Sequence, residues 1–162
     1  MLHMICGKIA AGKSTLAASL AEAPATILIA EDTWTSTLYP DELKTVADYG
    51  KYSRRLRQVM GGHIEGLLRA GLSVVLDFPA NTPANREWMR GIFTNAGVGH
   101  RLHFLDMTDE ACRVRLHRRN TAGTHAFVVS DQEFDEITGY FVPPDPSEKF
   151  DVVVYRESAP PS

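Results

Sequence analysis

Gly7-Lys8-Ile9-Ala10-Ala11-Gly12-Lys13-Ser14 fits G-x-x-x-x-G-K-[ST], the pattern of a loop that wraps a polyphosphate with its own backbone N–H groups. Gly7 and Gly12 permit close approach and unusual backbone angles. Lys13 supplies a point charge to the β- and γ-phosphates, and the Ser14 hydroxyl is suited to Mg²⁺. The flanks match what such a loop needs. Met4-Ile5-Cys6 before it is a short apolar run, and Ser14-Thr15-Leu16-Ala17-Ala18-Ser19-Leu20 after it is Ala/Leu-rich. A helix starting near Lys13 adds its N-terminal dipole to the anion site. The expected nucleotide contacts are therefore Gly7, Lys8, Ile9, Ala10, Ala11, Gly12, Lys13, Ser14 and Thr15.

Outward from the loop, apolar runs alternate with helical patterns. Residues 26–30, 73–76, 102–105 and 152–155 read as short buried strands, and helices are predicted near 13–22, 46–70, 83–96, 109–120 and 131–139. Thr82-Pro83 is a cap followed by proline, Ser130 to Glu133 is a capping box, and Gly71 and Gly97 are stops. This repetition predicts a mostly parallel five-stranded sheet with helices on both faces. With the phosphate loop at its first turn, the expected fold is the α/β, three-layer P-loop NTPase fold, including an Arg-bearing lid helix. One domain is expected over 1–155, with a lid around 109–128 and a disordered tail over 156–162.

Composition narrows the function classes. The chain has 162 residues, 44% hydrophobic and 23% charged, with a net charge of −3. That balance argues against a long nucleic acid as partner. No segment has the length of a membrane span or the pattern of a signal peptide, so a cytoplasmic protein is expected, monomeric or a small homo-oligomer. Cys6 and Cys112 are too few for a disulfide framework and read as buried small hydrophobes. The six histidines show no metal-ligand spacing.

In parallel α/β sheets ligands bind beyond the carboxyl ends of the strands. Glu31-Asp32-Thr33-Trp34 follows the second strand, and Asp32 is chosen over Glu31 as the base that accepts a proton from an acceptor hydroxyl. Trp34 and Tyr39 are placed as an aromatic wall for that acceptor, and Asn81, Thr82 and Arg86 are placed to reach the acceptor or its phosphates. Asp77 ends the third strand in the manner of a Walker-B acid, holding Mg²⁺ with Ser14. Four arginines, Arg113, Arg115, Arg118 and Arg119, lie on one predicted helix. Arg115 and Arg119 share a face and suit the charge that spreads over a transferring phosphoryl group. Phe134, Tyr140, Phe141 and the Val142-Pro143-Pro144 turn, within a segment starting at Phe127, are placed over the adenine or at the lid hinge.

Together these residues resemble the small P-loop kinases of the AAA_33-like group. They are similar to chloramphenicol phosphotransferase, the zeta toxins and the kinase domains of bacterial and phage polynucleotide kinases. The resemblance implies Asp32 as general base, with Arg115 and Arg119 as lid arginines and Arg118 as an alternative. It implies catalysis by Lys13, Asp32, Arg115 and Arg119, with ATP and Mg²⁺ as cofactors. The expected activity is transfer of the γ-phosphoryl group to a hydroxyl of a small-molecule or nucleotide-like acceptor. A 5′-hydroxyl polynucleotide kinase and a regulatory NTPase without an acceptor remain alternatives.

Overall fold

The computed structural model describes residues 1–123 and 128–157. Five strands, β1 (Leu2–Gly7), β2 (Thr26–Ala30), β3 (Ser73–Pro79), β4 (His100–Asp106) and β5 (Val152–Arg156), form one sheet in the order β2-β3-β1-β4-β5. Every pairing is parallel, so the sheet is fully rather than mostly parallel. The helices are α1 (Lys13–Leu20), α2 (Glu31–Leu38), α3 (Val46–Arg69), α4 (Pro83–Ala96), α5 (Asp109–Ala122) and α6 (Asp131–Gly139).

Strand alternation decides which helix covers which face. Leu2, Met4 and Cys6 of β1, with Val74, Leu76 and Phe78 of β3, turn to one side. There they meet Leu56, Met60, Ile64 and Leu68 of α3 and Met89, Ile92 and Phe93 of α4. Ile5 and Val75 turn to the other side, against Ala17 of α1, Cys112 and Leu116 of α5 and Phe134 of α6. Local signals end the helices where the sequence suggests. Thr82 caps α4 by accepting from the Asn85 N–H, Ser130 and Glu133 form the box that starts α6, and Gly97 closes α4 in the left-handed region.

Two features differ from the sequence expectation. Residues 31–38 form a helix that is not among the expected ones. Three threonines make this a poor intrinsic helix former, but the acids Glu31 and Asp32 occupy its first turn, where they complement the helix dipole. Phe134 and Phe141 are packing residues instead of an adenine cover. Phe134 is fully buried under α5, and Phe141 stacks on Phe104 at 6.2 Å. Within the expected lid and tail, residues 124–127 and 158–162 lie outside the described residues, among them Phe127.

A line of hydrogen bonds crosses the sheet on its α1/α5 side. His3 Nδ1 and His103 Nε2 share one at 3.0 Å, and His103 Nδ1 and the Tyr155 hydroxyl share another at 2.8 Å. Burial, helped by His3 and Arg101, lowers the His103 pKa from 6.5 to about 4. The folded chain thus refuses a proton that the unfolded chain accepts, so stability falls as pH drops from 6.5 towards 4. The loss attributable to His103 is about 3 kcal/mol. Urea unfolding across that window should show His103→Gln losing less stability than the wild type. Parallel losses in the two proteins would overturn this assignment.

Candidate active site

The loop leaves β1 in close contact with β4: a Cβ on Gly7 would lie 3.1 Å from the Leu105 Cβ. The Gly7 N–H donates to Asn81 Oδ1 at 2.9 Å, tying the loop to the segment after β3. Ala11 N–H closes a turn on the Lys8 carbonyl at 3.1 Å, and Ala10 and Gly12 take φ of 61° and 103°. Gly12 is the N-cap of α1 and has no side chain to cap it, and the first turn carries no acid. The first-turn N–H groups are thus left to an anion, which is what a phosphate cradle requires. Lys13 Nζ donates to the Gly7 and Lys8 carbonyls at 2.7 and 2.8 Å, holding the amine against the loop. Burial lowers its pKa, opposed by Asp77, Cys6 and Asp32. The Lys8 side chain turns away, donating to the Met107 carbonyl and to Asp109 at 2.6 Å. Ile9 packs on the core beneath the loop, and Thr15 is exposed beyond it.

A Cβ on Gly12 would also approach Arg115 Nη1 to 3.2 Å. Gly12→Ala is expected to weaken nucleotide binding by roughly 5- to 30-fold, from about 1–2 kcal/mol of left-handed strain. Gly62→Ala, in open space within α3, serves as control. Calorimetric titration with ATP checks this, and equal affinity in both variants would show that the loop tolerates the strain.

Four arginines part company on α5. Arg115 Nη1 donates to the Ala11 carbonyl at 2.7 Å, placing its guanidinium on the loop. Arg119, one turn on, is half-buried, and its Nε has no partner among the described residues. Its pKa is lowered by burial and supported by the charge of Asp32. Arg113 turns the other way, over the Phe134 ring and onto Asp131 and Asp135 of α6. Arg118 is exposed.

Asp77 sits at a break in sheet register. β1 partners pass from Leu76 directly to Pro79, so Asp77 and Phe78 face no β1 residue and the sheet opens beside the loop. Burial raises the Asp77 pKa, while the nearby Ser14 hydroxyl lowers it. A hydroxyl and a carboxylate side by side are hard oxygen donors of the kind that would suit Mg²⁺. No group of three or more His, Cys, Asp or Glu among the described residues makes a metal site.

At the start of α2 the two acids diverge. Asp32 is exposed, and one of its oxygens accepts from the Tyr49 hydroxyl of α3. Glu31 is only 1% exposed. It accepts from Ser53 and, at 3.4 Å, from Tyr49, and it pairs with Arg57 Nη2 at 3.5 Å. Burial pushes its pKa up to about 7, against the pull of Arg57. Arg57 in turn donates to Asn85 Oδ1 at 2.8 Å and lies over the Trp88 ring.

Of the expected acceptor residues, Trp34 is 40% exposed and lines a shallow hollow on the open side of α2 with Thr33, Thr37 and Leu38. Tyr39 packs on Tyr52 of α3, with the rings tilted by 34° and their centroids 4.3 Å apart. Arg86 is not at the acceptor side, which corrects the expectation for it. It is buried at 1% exposure, and its guanidinium is taken by Glu148 at 3.0 Å and the carbonyls of Ala80, Val142 and Pro143. With four of its five N–H donors engaged and the side chain enclosed, this arginine is committed to holding the fold. Tyr49, Ser53 and Arg57 escaped the sequence reading. A signal was present: they recur every four residues on the α3 face that continues with buried apolar side chains, and polar groups on a buried face need partners.

A family model described as an AAA domain matches residues 2–144. Among solved structures, a candidate kinase from Chloroflexus aurantiacus is 16% identical, with a TM-score of 0.77 over 96% of this chain and 84% of that one. Chaetomium thermophilum Kti12, solved with ADP-AlF3, is 15% identical, with a TM-score of 0.73 over 98% and 89%. A gluconokinase from Sinorhizobium meliloti is 16% identical, with a TM-score of 0.61 over 98% and 83%. No curated protein matches the sequence. At these identities the likeness establishes a shared fold, that of the P-loop kinases.

Proposed function

We propose that this chain, which belongs to the AAA_33 family of P-loop proteins, transfers the γ-phosphoryl group of ATP to a hydroxyl of a small-molecule or nucleotide-like acceptor. The observation that supports this reading is the position of Asp32, an exposed carboxylate at the start of α2 whose charge bears on Lys13, Asp77 and Arg119 together.

The residues divide the work. The loop amides and Lys13 hold the β- and γ-phosphates, and Ser14 with Asp77 holds Mg²⁺. When bound, the ion neutralises charge on the phosphate oxygens. Arg115 and Arg119 stabilise the equatorial oxygens, and Asp32 orients the acceptor hydroxyl and takes its proton. Trp34 and Tyr39 border the acceptor.

A mass-spectrometric screen of hydroxyl-bearing metabolites with ATP and Mg²⁺ tests the proposal. The expected result is at least one compound that gains a phosphate with wild-type protein and none with Asp32→Asn. ATP hydrolysis without any phosphorylated compound would favour the regulatory NTPase.

One feature favours a second reading, phosphorylation of a nucleic-acid 5′-hydroxyl. On α3 the exposed Lys51 and Arg55 lie 5.4 and 5.2 Å from the Tyr52 ring centroid, a pairing of cations and aromatics suited to single strands. That reading predicts oligonucleotide phosphorylation that falls steeply with salt.

A further inference from the structure

We propose that Tyr49 and Glu31 form a proton relay behind Asp32, carrying the acceptor's proton from the mouth of the crevice into a buried carboxylate. The relay rests on the reading of Asp32 as the acceptor's base. Its geometric basis is one hydroxyl between two carboxylates: Tyr49 reaches Asp32 Oδ1 on one side and Glu31 Oε2, at 3.4 Å, on the other. No other side chain among the described residues donates to Asp32, so Tyr49 is its sole link to the protein's polar interior.

The proton balance closes in two steps. As the acceptor oxygen bonds to phosphorus, its O–H proton passes to Asp32, which becomes a neutral acid. Asp32 then gives that proton to the Tyr49 oxygen while the Tyr49 hydroxyl proton moves to Glu31. Asp32 is again an anion, Tyr49 is again neutral, and Glu31 is a neutral acid. The same path run outwards returns the proton to water once the phosphorylated product has left. Tyr49 never becomes an anion; burial and the two carboxylates push its pKa far up, which makes it a conduit and not an acid in its own right.

Glu31 is built to receive the proton. The groups facing it are Arg57, Tyr49 and Ser53 from α3, Asp32 beside it on α2 and Asp77 from β3. Arg57 and the two hydroxyls favour the anion, while burial and the two acids favour the neutral form. The balance lies at about 7, where a group accepts and releases protons with little cost in either direction. A glutamate serving only to join α2 to α3 would gain from staying fully ionised against Arg57. Glu31 and Tyr49 touch no reacting atom; they are positioning residues that act through Asp32.

Two measurements test the relay. The first follows ATP hydrolysis with Mg²⁺ between pH 5 and 9, with water standing in as the acceptor. Wild-type kcat should rise with pH through a midpoint near 7, because the relay requires Glu31 to be an anion. Glu31→Gln and Tyr49→Phe should lower kcat by roughly tenfold or more at pH 8 and lose that limb, with KM for ATP within about twofold. Wild-type rates and an unchanged limb in both variants, with Asp32→Asn inactive, would remove the relay and leave the base standing. Wild-type turnover by Asp32→Asn would remove the base reading itself. The second measurement is the ¹³C titration of the Glu31 carboxyl in the protein alone. Its midpoint should lie near 7, fall in Asp32→Asn and rise in Tyr49→Phe. A midpoint below 5, or one insensitive to both changes, overturns the relay whatever the turnover.

Discussion

Asp32→Asn is expected to lower phosphoryl transfer by about 10²- to 10⁴-fold, the usual contribution of a positioned general base. ATP affinity should stay within about twofold or improve slightly. The reasoning is geometric and electrostatic. Asparagine keeps the shape and the oxygen that accepts from Tyr49, so the start of α2 should be undisturbed. What it loses is the ability to take a proton. It also removes a negative charge near a site meant for a triphosphate, so donor binding has nothing to lose by repulsion. The comparison is kcat on whichever acceptor the metabolite screen yields, alongside calorimetric ATP binding. Transfer within threefold of wild type would eliminate Asp32 as base. A matching loss of ATP affinity would move it to the donor side instead.

Arg86→Met should cost about 3–5 kcal/mol of stability, the range for breaking a buried ion pair from one side. Methionine retains the apolar stem, so the loss isolates the guanidinium. That group joins α4 to the segment ahead of β5 through Glu148 and the carbonyls of Val142 and Pro143, and it also holds the Ala80 carbonyl after β3. Glu148 is one-fifth exposed and can turn to water, so the carbonyls carry most of the penalty. Glu148→Gln should therefore cost much less, about 1 kcal/mol. Urea unfolding of both variants gives the comparison. An Arg86→Met protein within 1 kcal/mol of wild type would mean that water satisfies these groups and that the strap is incidental.

The elements that were legible in the sequence share one property: their signals are local. The octapeptide, the apolar strand runs, the Thr82 and Ser130 caps and the Gly97 stop each specify backbone within a few residues. The residues that were not legible depend on distant partners. Nothing near Glu31 or Asp32 reveals that one is enclosed and the other exposed, because the difference arises from Tyr49, Ser53 and Arg57 on α3. Arg86 read as a helix residue free to reach an acceptor, because three of its four partners lie 56 to 62 residues further along. The arginine-rich helix held two readings at once. Its faces were visible from the spacing, but only the packing of α6 shows that Arg113 belongs to Asp131 and Asp135 while Arg115 meets the loop.

By itself the sequence determined the phosphate loop, the βα alternation and the parallel sheet, since loop glycines, strand periodicity and helix caps act over neighbouring residues. Tertiary structure alone decided that α2 is a helix, that Asp32 is exposed with Glu31 sealed behind it, and that Arg86 holds the fold together. Those outcomes follow from right-handed crossovers that bring α2, α3 and α4 to one side of the sheet. There the burial of a charged group is set by what packs on it and not by its neighbours in the chain.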